Sequence, residues 1–179
     1  MRASGAAGFT LPEMMITVVI VAVLVMMGLP SFQQTLRNYQ VRAAAESVSA
    51  GLQRARAEAV ARNASVQFVL GTGTSWTVDY VTKPVPSDPP LDSRSSSESA
   101  NATLTAVASD LSTAATTITF NNLGQVIANV PASQSLSRIT FSATGGSENL
   151  QVRIGAGGNA RVCDPGLPAT NVRSCSYAP

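Results

Sequence analysis

A single carboxylate lies at the start of the longest apolar stretch of this chain. The hexapeptide Gly8-Phe9-Thr10-Leu11-Pro12-Glu13 leads directly into an apolar run from Met14 to Leu29. An ionised carboxylate beside a membrane-length apolar segment is costly unless a positive group pairs with it. We therefore expect Glu13 to have a function, and the chemistry that it offers is neutralisation of a cation in apolar surroundings.

Residue types that bind metals or act as general bases are scarce. The 179 residues contain no histidine and only two cysteines, Cys163 and Cys175. This composition argues against a zinc site of the usual ligands, and neither a metal site nor a cofactor is predicted. Two cysteines in a secreted domain favour a disulfide, which would tie down the C-terminal tail and stabilise the fold by roughly 3 kcal/mol.

The acidic residues of the middle of the chain do not form a catalytic pattern. They cluster in or beside a polar segment, where they are typical of solvated charges: Asp79, Asp88, Asp92 and Glu98. With no histidine, and no cysteine outside the expected disulfide, an activated nucleophile has no evident base. The sequence therefore predicts a protein that is not an enzyme.

Arginine is the only basic residue type of the last quarter of the chain. The whole sequence has 12 basic and 10 acidic residues, a balance that implies no polyanion partner. Residues 133–179 carry four basic against two acidic side chains, or +2. Arg161, Arg173 and Arg153 could form a basic rim for weak binding to phosphates, or could simply solvate a strand edge and the tail.

The apolar run is long enough to cross a bilayer. Phe9 to Leu29 is 21 residues, and a helix of that length spans roughly 30 Å. A secretory signal peptide and a generic single-span anchor are the alternatives. The leader carries only Arg2, and no A-x-A cleavage site follows the run, which argues against the signal peptide.

The helical pattern continues beyond Pro30, to about Asn63, with a changed character. Apolar or small residues recur there at helix-like spacing while charges occupy other positions, which predicts an amphipathic half, residues 31–63, of one helix of about 50 residues. The predicted packing residues are Phe32, Leu36, Tyr39, Ala43, Val48, Leu52, Ala55 and Ala59.

Residues 64–179 have the two-residue alternation of strands and predict a β-rich head. Strands are expected at 65–70, 75–81, 102–108, 117–121, 138–143, 150–154 and 159–163. The Pro- and Ser-rich residues 83–98 predict a long exposed loop without regular structure. The fold class is therefore α+β, a long N-terminal helix with an antiparallel sheet or two packed against its second half.

The hexapeptide resembles the processing signal of type IV pilins and type II secretion pseudopilins, and it matches at every motif position. The resemblance implies that residues 1–8 are a leader, that prepilin peptidase cuts between Gly8 and Phe9, and that Phe9 becomes the methylated N-terminus. It also implies that residues 9–30 form the membrane and assembly half of the helix, and that Glu13 neutralises the N-terminal amine of a neighbouring subunit during assembly.

The second half of the chain resembles the FimT/FimU/GspH group of minor pilins and pseudopilins. The matching features are Asn122-Leu123-Gly124-Gln125, Arg138-Ile139-Thr140-Phe141, and Asn159 to Pro165 with a second cysteine near the end. In FimT-type members a Gly-Arg-x-Arg motif before the first cysteine is implicated in DNA binding for natural transformation. Here Arg161 keeps the second arginine of that motif, and Asn159 replaces the first.

The resemblance implies a structural role. The expected protein is a minor pilin in the bacterial inner membrane, with its head in the periplasm, that then enters a type IV pilus. Its expected partners are other pilins and minor pilins, prepilin peptidase, the inner membrane and, through the C-terminal arginines, double-stranded DNA. A GspH-type pseudopilin of a type II secretion system is the alternative, with the same fold and different partners.

Overall fold

The computed structural model describes residues 9–176, apart from the side chains of Pro30 and Glu98. The predicted leader, residues 1–8, lies outside this range. The chain divides into two units, with the boundary between Leu36 and Arg37, and each unit is described separately below. One helix, α1 (Leu11–Ala61, 51 residues), belongs to both, which confirms the predicted long N-terminal helix.

In the first unit the helix presents its apolar side chains to the outside. The large apolar side chains from Met14 to Leu29 are exposed. The hydroxyl of Thr17 donates to the carbonyl of Met14 over 2.9 Å, so this polar group is satisfied within the helix. The surface of residues 14–29 is therefore almost wholly apolar.

In the second unit one stripe of α1 is buried. Its members recur every three or four residues, the spacing of one helical face: Val41, Ala44, Ala45, Val48, Leu52, Ala55 and Ala59. Four residues that the sequence placed on the packing side are exposed, two of them in each unit: Phe32, Leu36, Tyr39 and Ala43. At 3.6 residues per turn the buried stripe passes through Val41, Ala44 and Ala45 instead.

Within the described residues nine strands follow the helix, and two of them were not predicted. Their bounds are β1 (Val66–Leu70), β2 (Trp76–Tyr80), β3 (Asp92–Arg94), β4 (Ala102–Ala108), β5 (Thr117–Phe120), β6 (Val126–Ile127), β7 (Leu136–Ala143), β8 (Leu150–Ile154) and β9 (Ala160–Cys163). They form two antiparallel sheets of order β3-β2-β1-β5-β6 and β4-β7-β8-β9.

The first sheet supplies most of the aromatic core. Phe68, Trp76, Val78 and Phe120 are buried with the helix stripe in one cluster. The indole N–H of Trp76 donates to the hydroxyl of Ser47 over 2.9 Å. Gly51 of α1 lets the two rings pack closely against the helix, because a Cβ there would lie 2.8 Å from the Phe68 ring and 3.0 Å from the Trp76 ring.

The second sheet has one apolar face and one polar face. Ile139, Phe141, Leu150 and Val152 are buried in the core. Since side chains alternate along a strand, the neighbouring residues point to the opposite face. That face carries the arginines of β7, β8 and β9.

The prediction of a long loop without regular structure at residues 83–98 is partly wrong. It contains β3, which pairs with β2 through Thr77 and Ser93, and a short 3₁₀ helix, Ser96–Ser99. The sequence could not predict β3, because main-chain hydrogen bonds to a neighbouring strand require no apolar alternation. Strand β6, of two residues, was missed for the same reason. Residues 84–90 are exposed, as predicted.

Candidate functional site

The first turn of α1 holds Glu13 in a capping arrangement. Thr10 precedes the first helical residue, Leu11, so that Glu13 occupies the third position of the helix. A carboxylate oxygen of Glu13 lies 3.5 Å from the main-chain nitrogen of Thr10, which donates to it. Thr-x-x-Glu is the capping-box pattern, in which the glutamate reaches back to the cap residue. Pro12 lies in the first turn, where its missing N–H costs no hydrogen bond.

This carboxylate lies at the end of a surface that requires a partner. By length and composition α1 is apolar enough to cross a membrane. Phe9, the predicted mature N-terminus, is exposed, four residues before Glu13. Within the described part of the first unit, Glu13 has no salt bridge.

A second charged cluster lies on the polar face of the second sheet. Arg138 pairs with Arg153 across β7 and β8, and Arg153 pairs with Arg161 across β8 and β9. Three arginines therefore lie side by side in one row, which we call the arginine row. Like charges directly opposite each other in a sheet are destabilising, so such a row needs compensating acceptors.

The disulfide loop supplies these acceptors. Cys163 and Cys175 are bonded, which confirms the predicted disulfide. The guanidinium of Arg153 donates to the carbonyl of Cys175 over 2.6 Å. The guanidinium of Arg161 donates to the carbonyls of Val172 and Ser174 over 2.7 and 2.8 Å. The arginine row thus holds the end of the loop against the sheet.

Arg138 is the member of the row that sequence reasoning missed as a site residue. Its side chain is half-buried, and its Nε atom is buried without a hydrogen-bond partner among the described residues. The sequence contains no local signal for its position, because the register of β7 against β8 decides which residue lies opposite Arg153.

The other two predicted DNA contacts are placed differently. Arg173 belongs to the disulfide loop, where its N–H donates to the side chain of Asn171 and its carbonyl accepts from the N–H of Asp164. Asn159 lies in the turn between β8 and β9, and its carbonyl accepts from the N–H of Gly155 over 3.0 Å. Only Arg153 and Arg161 of the predicted set are strand neighbours.

Asn159 also borders a cleft between the turn and α1. The cleft has a volume of about 650 Å³ and is lined on one side by the helix residues Gln53, Ala57 and Val60, with Leu123 nearby. The side chain of Arg56 donates to the carbonyl of Gly124 over 3.0 Å at its edge.

Three carboxylates of the head illustrate ordinary structural partners. Asp79 forms a salt bridge of 2.8 Å with Lys83. A hydrogen bond from Arg62 lowers the pKa of Glu58, with partial burial acting in the opposite direction. Hydrogen bonds from the hydroxyl and N–H of Thr113, with others from Ser112, lower the pKa of Asp110 to about 2. Among the residues described, no three potential metal ligands lie together.

Two family profiles match the chain, one near its N-terminus and one over most of the remaining residues. The profile of the family described as type II transport protein GspH matches residues 44–164, which is more than half of the chain. The chain belongs to the GspH family. The prokaryotic N-terminal methylation motif matches residues 4–29, which include the predicted cleavage site and Glu13. The protein is therefore a minor pilin or pseudopilin of a type IV pilus or a type II secretion system.

Solved structures are similar in fold. The minor pseudopilin EpsH from the type 2 secretion system of Vibrio cholerae is 15% identical, with a TM-score of 0.50 over 72% of this chain and 99% of that chain. The type IV minor pilin FimU of Pseudomonas aeruginosa is 20% identical, with a TM-score of 0.49 over 78% of this chain and 96% of that chain. No significant match was found among curated protein sequences. The EpsH likeness supports the pilin fold and says nothing further about function.

Proposed function

We propose that this chain is a minor pilin of a type IV pilus. Prepilin peptidase cuts it between Gly8 and Phe9 and methylates Phe9, while residues 9–30 anchor it in the inner membrane with the head in the periplasm. The observation that carries the proposal is the exposed apolar surface of residues 14–29, with Glu13 at its N-terminal end. A bilayer or the core of a filament would cover that surface.

Glu13 gives the assembly step its selectivity. After cleavage the amine of Phe9 is positively charged, and moving it into an apolar bundle is costly unless an anion meets it there. Glu13 of a neighbouring subunit is that anion when the two helices are in the correct register. In the single subunit Glu13 accepts one long hydrogen bond from Thr10, which is weak enough to be exchanged for an ion pair.

The decisive experiment substitutes Glu13→Gln in cells that assemble pili. The variant retains the shape of the side chain and loses its charge, so we expect normal processing and at least tenfold less protein in sheared filaments. Glu46→Gln, at an exposed glutamate of the same helix, is the matched control and should assemble normally. Mass spectrometry of the N-terminus reports processing. Wild-type assembly of Glu13→Gln, or an intact leader in the wild type, would contradict the proposal.

The alternative is a subunit of a type II secretion pseudopilus. The family description as a type II transport protein favours it. The two machines use the same helix chemistry, so the geometry of the subunit does not separate them. Deletion of the chain separates them: loss of surface pili with normal secretion supports the pilus, whereas secreted enzymes retained in the periplasm with normal pili support the pseudopilus.

DNA binding is a second candidate function, favoured by the arginine row. Three arginines one strand apart, about 4.8 Å between neighbouring strands, present positive charge on the polar face of the sheet. Non-specific DNA binding requires only such phosphate contacts. The loop carbonyls already accept hydrogen bonds from Arg153 and Arg161, so that a substitution of either arginine would also disturb the loop. Among the described residues Arg138 makes no such bond to the loop, and it is therefore the position to test.

A salt titration with double-stranded DNA tests this function on the full chain in detergent. We expect binding that weakens as salt rises, and Arg138→Gln should weaken it and reduce the slope of log K against log salt by about one. Arg54→Gln, on α1, removes an arginine that pairs with Glu58 and should leave the slope unchanged. Equal effects of the two substitutions, or no binding at low salt, would exclude the row as a DNA site.

A further inference from the structure

The outer edge of β4 is the least protected edge of the two sheets. The sheet orders place four strands at edges: β3, β6, β4 and β9. Strands β3 and β6 have only three and two residues. Strand β9 carries Arg161, and the tail pairs with its end through Asp164 and Ser174. Strand β4 has seven residues, ATLTAVA, with no charge and no proline. Edge strands of natural proteins usually carry a charge or a proline, or are covered, because an open edge can pair with another strand.

The direction of the main-chain groups in β4 follows from its own neighbours. The carbonyl of Ala106 accepts from the N–H of Ala115, and the N–H of Ala108 donates to the carbonyl of Thr113. These even-numbered residues therefore point away from β7, and by alternation so do Ala102 and Leu104. No hydrogen bond to the outward groups of Ala102 and Leu104 occurs among the described residues. The open part of the edge is therefore short and lies at the N-terminal half of β4.

The chain itself limits what can occupy this edge. Residues 113–115 cover β4 from Ala106 onward, so a long foreign strand would collide with them. A second copy of β4 presents an equally short open stretch. In an antiparallel arrangement the second copy's strand runs from its Leu104 back to its Ala102. Its turn at residues 100–101 then leads it away from the sheet before it meets residues 113–115 of the first copy.

We propose that the exposed edge of β4 pairs with β4 of a second copy of this chain. The two strands run antiparallel about a two-fold axis at Thr103, so that each Thr103 lies opposite the other. Ala102 of each copy exchanges two main-chain hydrogen bonds with Leu104 of the other, which gives four in all. A two-fold interface brings side chains at the axis close to their own copies, and an uncharged strand meets no like-charge repulsion there.

The test is cysteine cross-linking of the full chain in detergent, with copper-phenanthroline as the oxidant. Opposed residues in a non-hydrogen-bonded pair have Cβ atoms about 4.5–5.5 Å apart, close enough for a disulfide with slight adjustment. Thr103→Cys should therefore form a dimer on a non-reducing gel. Thr105→Cys is the matched control, since it is an exposed threonine on the same face of β4. Its two copies would lie about 13 Å apart, too far to bridge.

We expect at least tenfold more dimer from Thr103→Cys than from Thr105→Cys. Adding Leu104→Pro to Thr103→Cys should abolish the excess, because proline removes an outward N–H and is tolerated on an edge strand. The native Cys163–Cys175 bond and the melting temperature check that the variants fold. Equal dimer yields from the two cysteine variants would overturn the proposal. A dimer formed only when the two variants are mixed would overturn it as well, because that outcome requires a different register.

Discussion

The carboxylates of Glu13 and Asp110 differ in how many hydrogen bonds they accept from their own unit of the chain. In the head, Asp110 accepts hydrogen bonds from the N–H and hydroxyl groups of Ser112 and Thr113. In the N-terminal unit, Glu13 accepts one hydrogen bond of 3.5 Å from Thr10. The head thus satisfies the charge of Asp110 with several of its own groups, whereas the described part of the N-terminal unit gives Glu13 only this one long bond.

Apolar side chains follow the same division. Leu52 and Leu24 belong to the same helix, yet Leu52 is 1% exposed and Leu24 is 64% exposed. Burial of Leu52 in the core stabilises the head. The exposed surface around Leu24 contributes to stability only when a bilayer or other subunits cover it. Residues such as Leu52 thus stabilise the folded head, whereas residues such as Leu24 remain exposed in the single subunit.

The largest expected effect comes from this leucine pair. Leu52→Ala leaves a cavity in the core of the head and should lower its free energy of unfolding by about 2–5 kcal/mol. Leu24→Ala removes the same atoms from an exposed position and should leave unfolding of the head unchanged. Fluorescence of Trp76, the only tryptophan, follows urea unfolding of the full chain in detergent. Similar losses from the two substitutions would break the comparison.

The disulfide should have the next largest effect. Cys163 and Cys175 are 12 residues apart, and opening a loop of this size costs about 3 kcal/mol in the chain-entropy model. The double substitution Cys163→Ser, Cys175→Ser should therefore lower the urea midpoint, and reduction of the wild type should reproduce most of the change. An unchanged midpoint would mean that the arginine row alone fixes the loop.

Arg161 and Arg173 form the third test, because only the first donates to carbonyls of the loop within the described structure. Hydrogen bonds from charged groups contribute more than neutral ones, so Arg161→Ala should cost about 1–2 kcal/mol, reduced by the exposure of the side chain. Arg173→Ala should stay within about 0.5 kcal/mol. If the order were reversed, the loop would depend on contacts other than the arginine row.

The smallest effect concerns the pH dependence of the head. The folded pKa of Asp110 is lowered from 3.8 to about 2, chiefly by the hydroxyl of Thr113. A lowered folded pKa stabilises the fold above the unfolded pKa, and this contribution is lost as the pH falls from about 4 towards 2. The difference in melting temperature between the wild type and Asp110→Asn should therefore shrink across that window. Asp88→Asn, at an exposed aspartate, is the control, and a difference that stays constant would contradict the assignment.

Some features of the head follow from local patterns and others from register. Alternation predicted seven of the nine strands, and the pair of cysteines predicted the disulfide. Alternation says which face a residue occupies and does not say which strand lies beside it. The arginine row, β3 and the open edge of β4 all depend on that neighbour relation, and none could be read from the sequence.

The sequence by itself determined the N-terminal unit of this protein. The apolar run, Glu13 at its edge and the N-terminal methylation motif are local features, because a helix satisfies its main-chain groups within one segment. Only the tertiary structure decided how the head arranges its charges, because strands pair with partners that are distant in sequence. The fold brings Arg138, Arg153 and Arg161 together from three strands. It also supplies carbonyl acceptors for Arg153 and Arg161 from the disulfide loop.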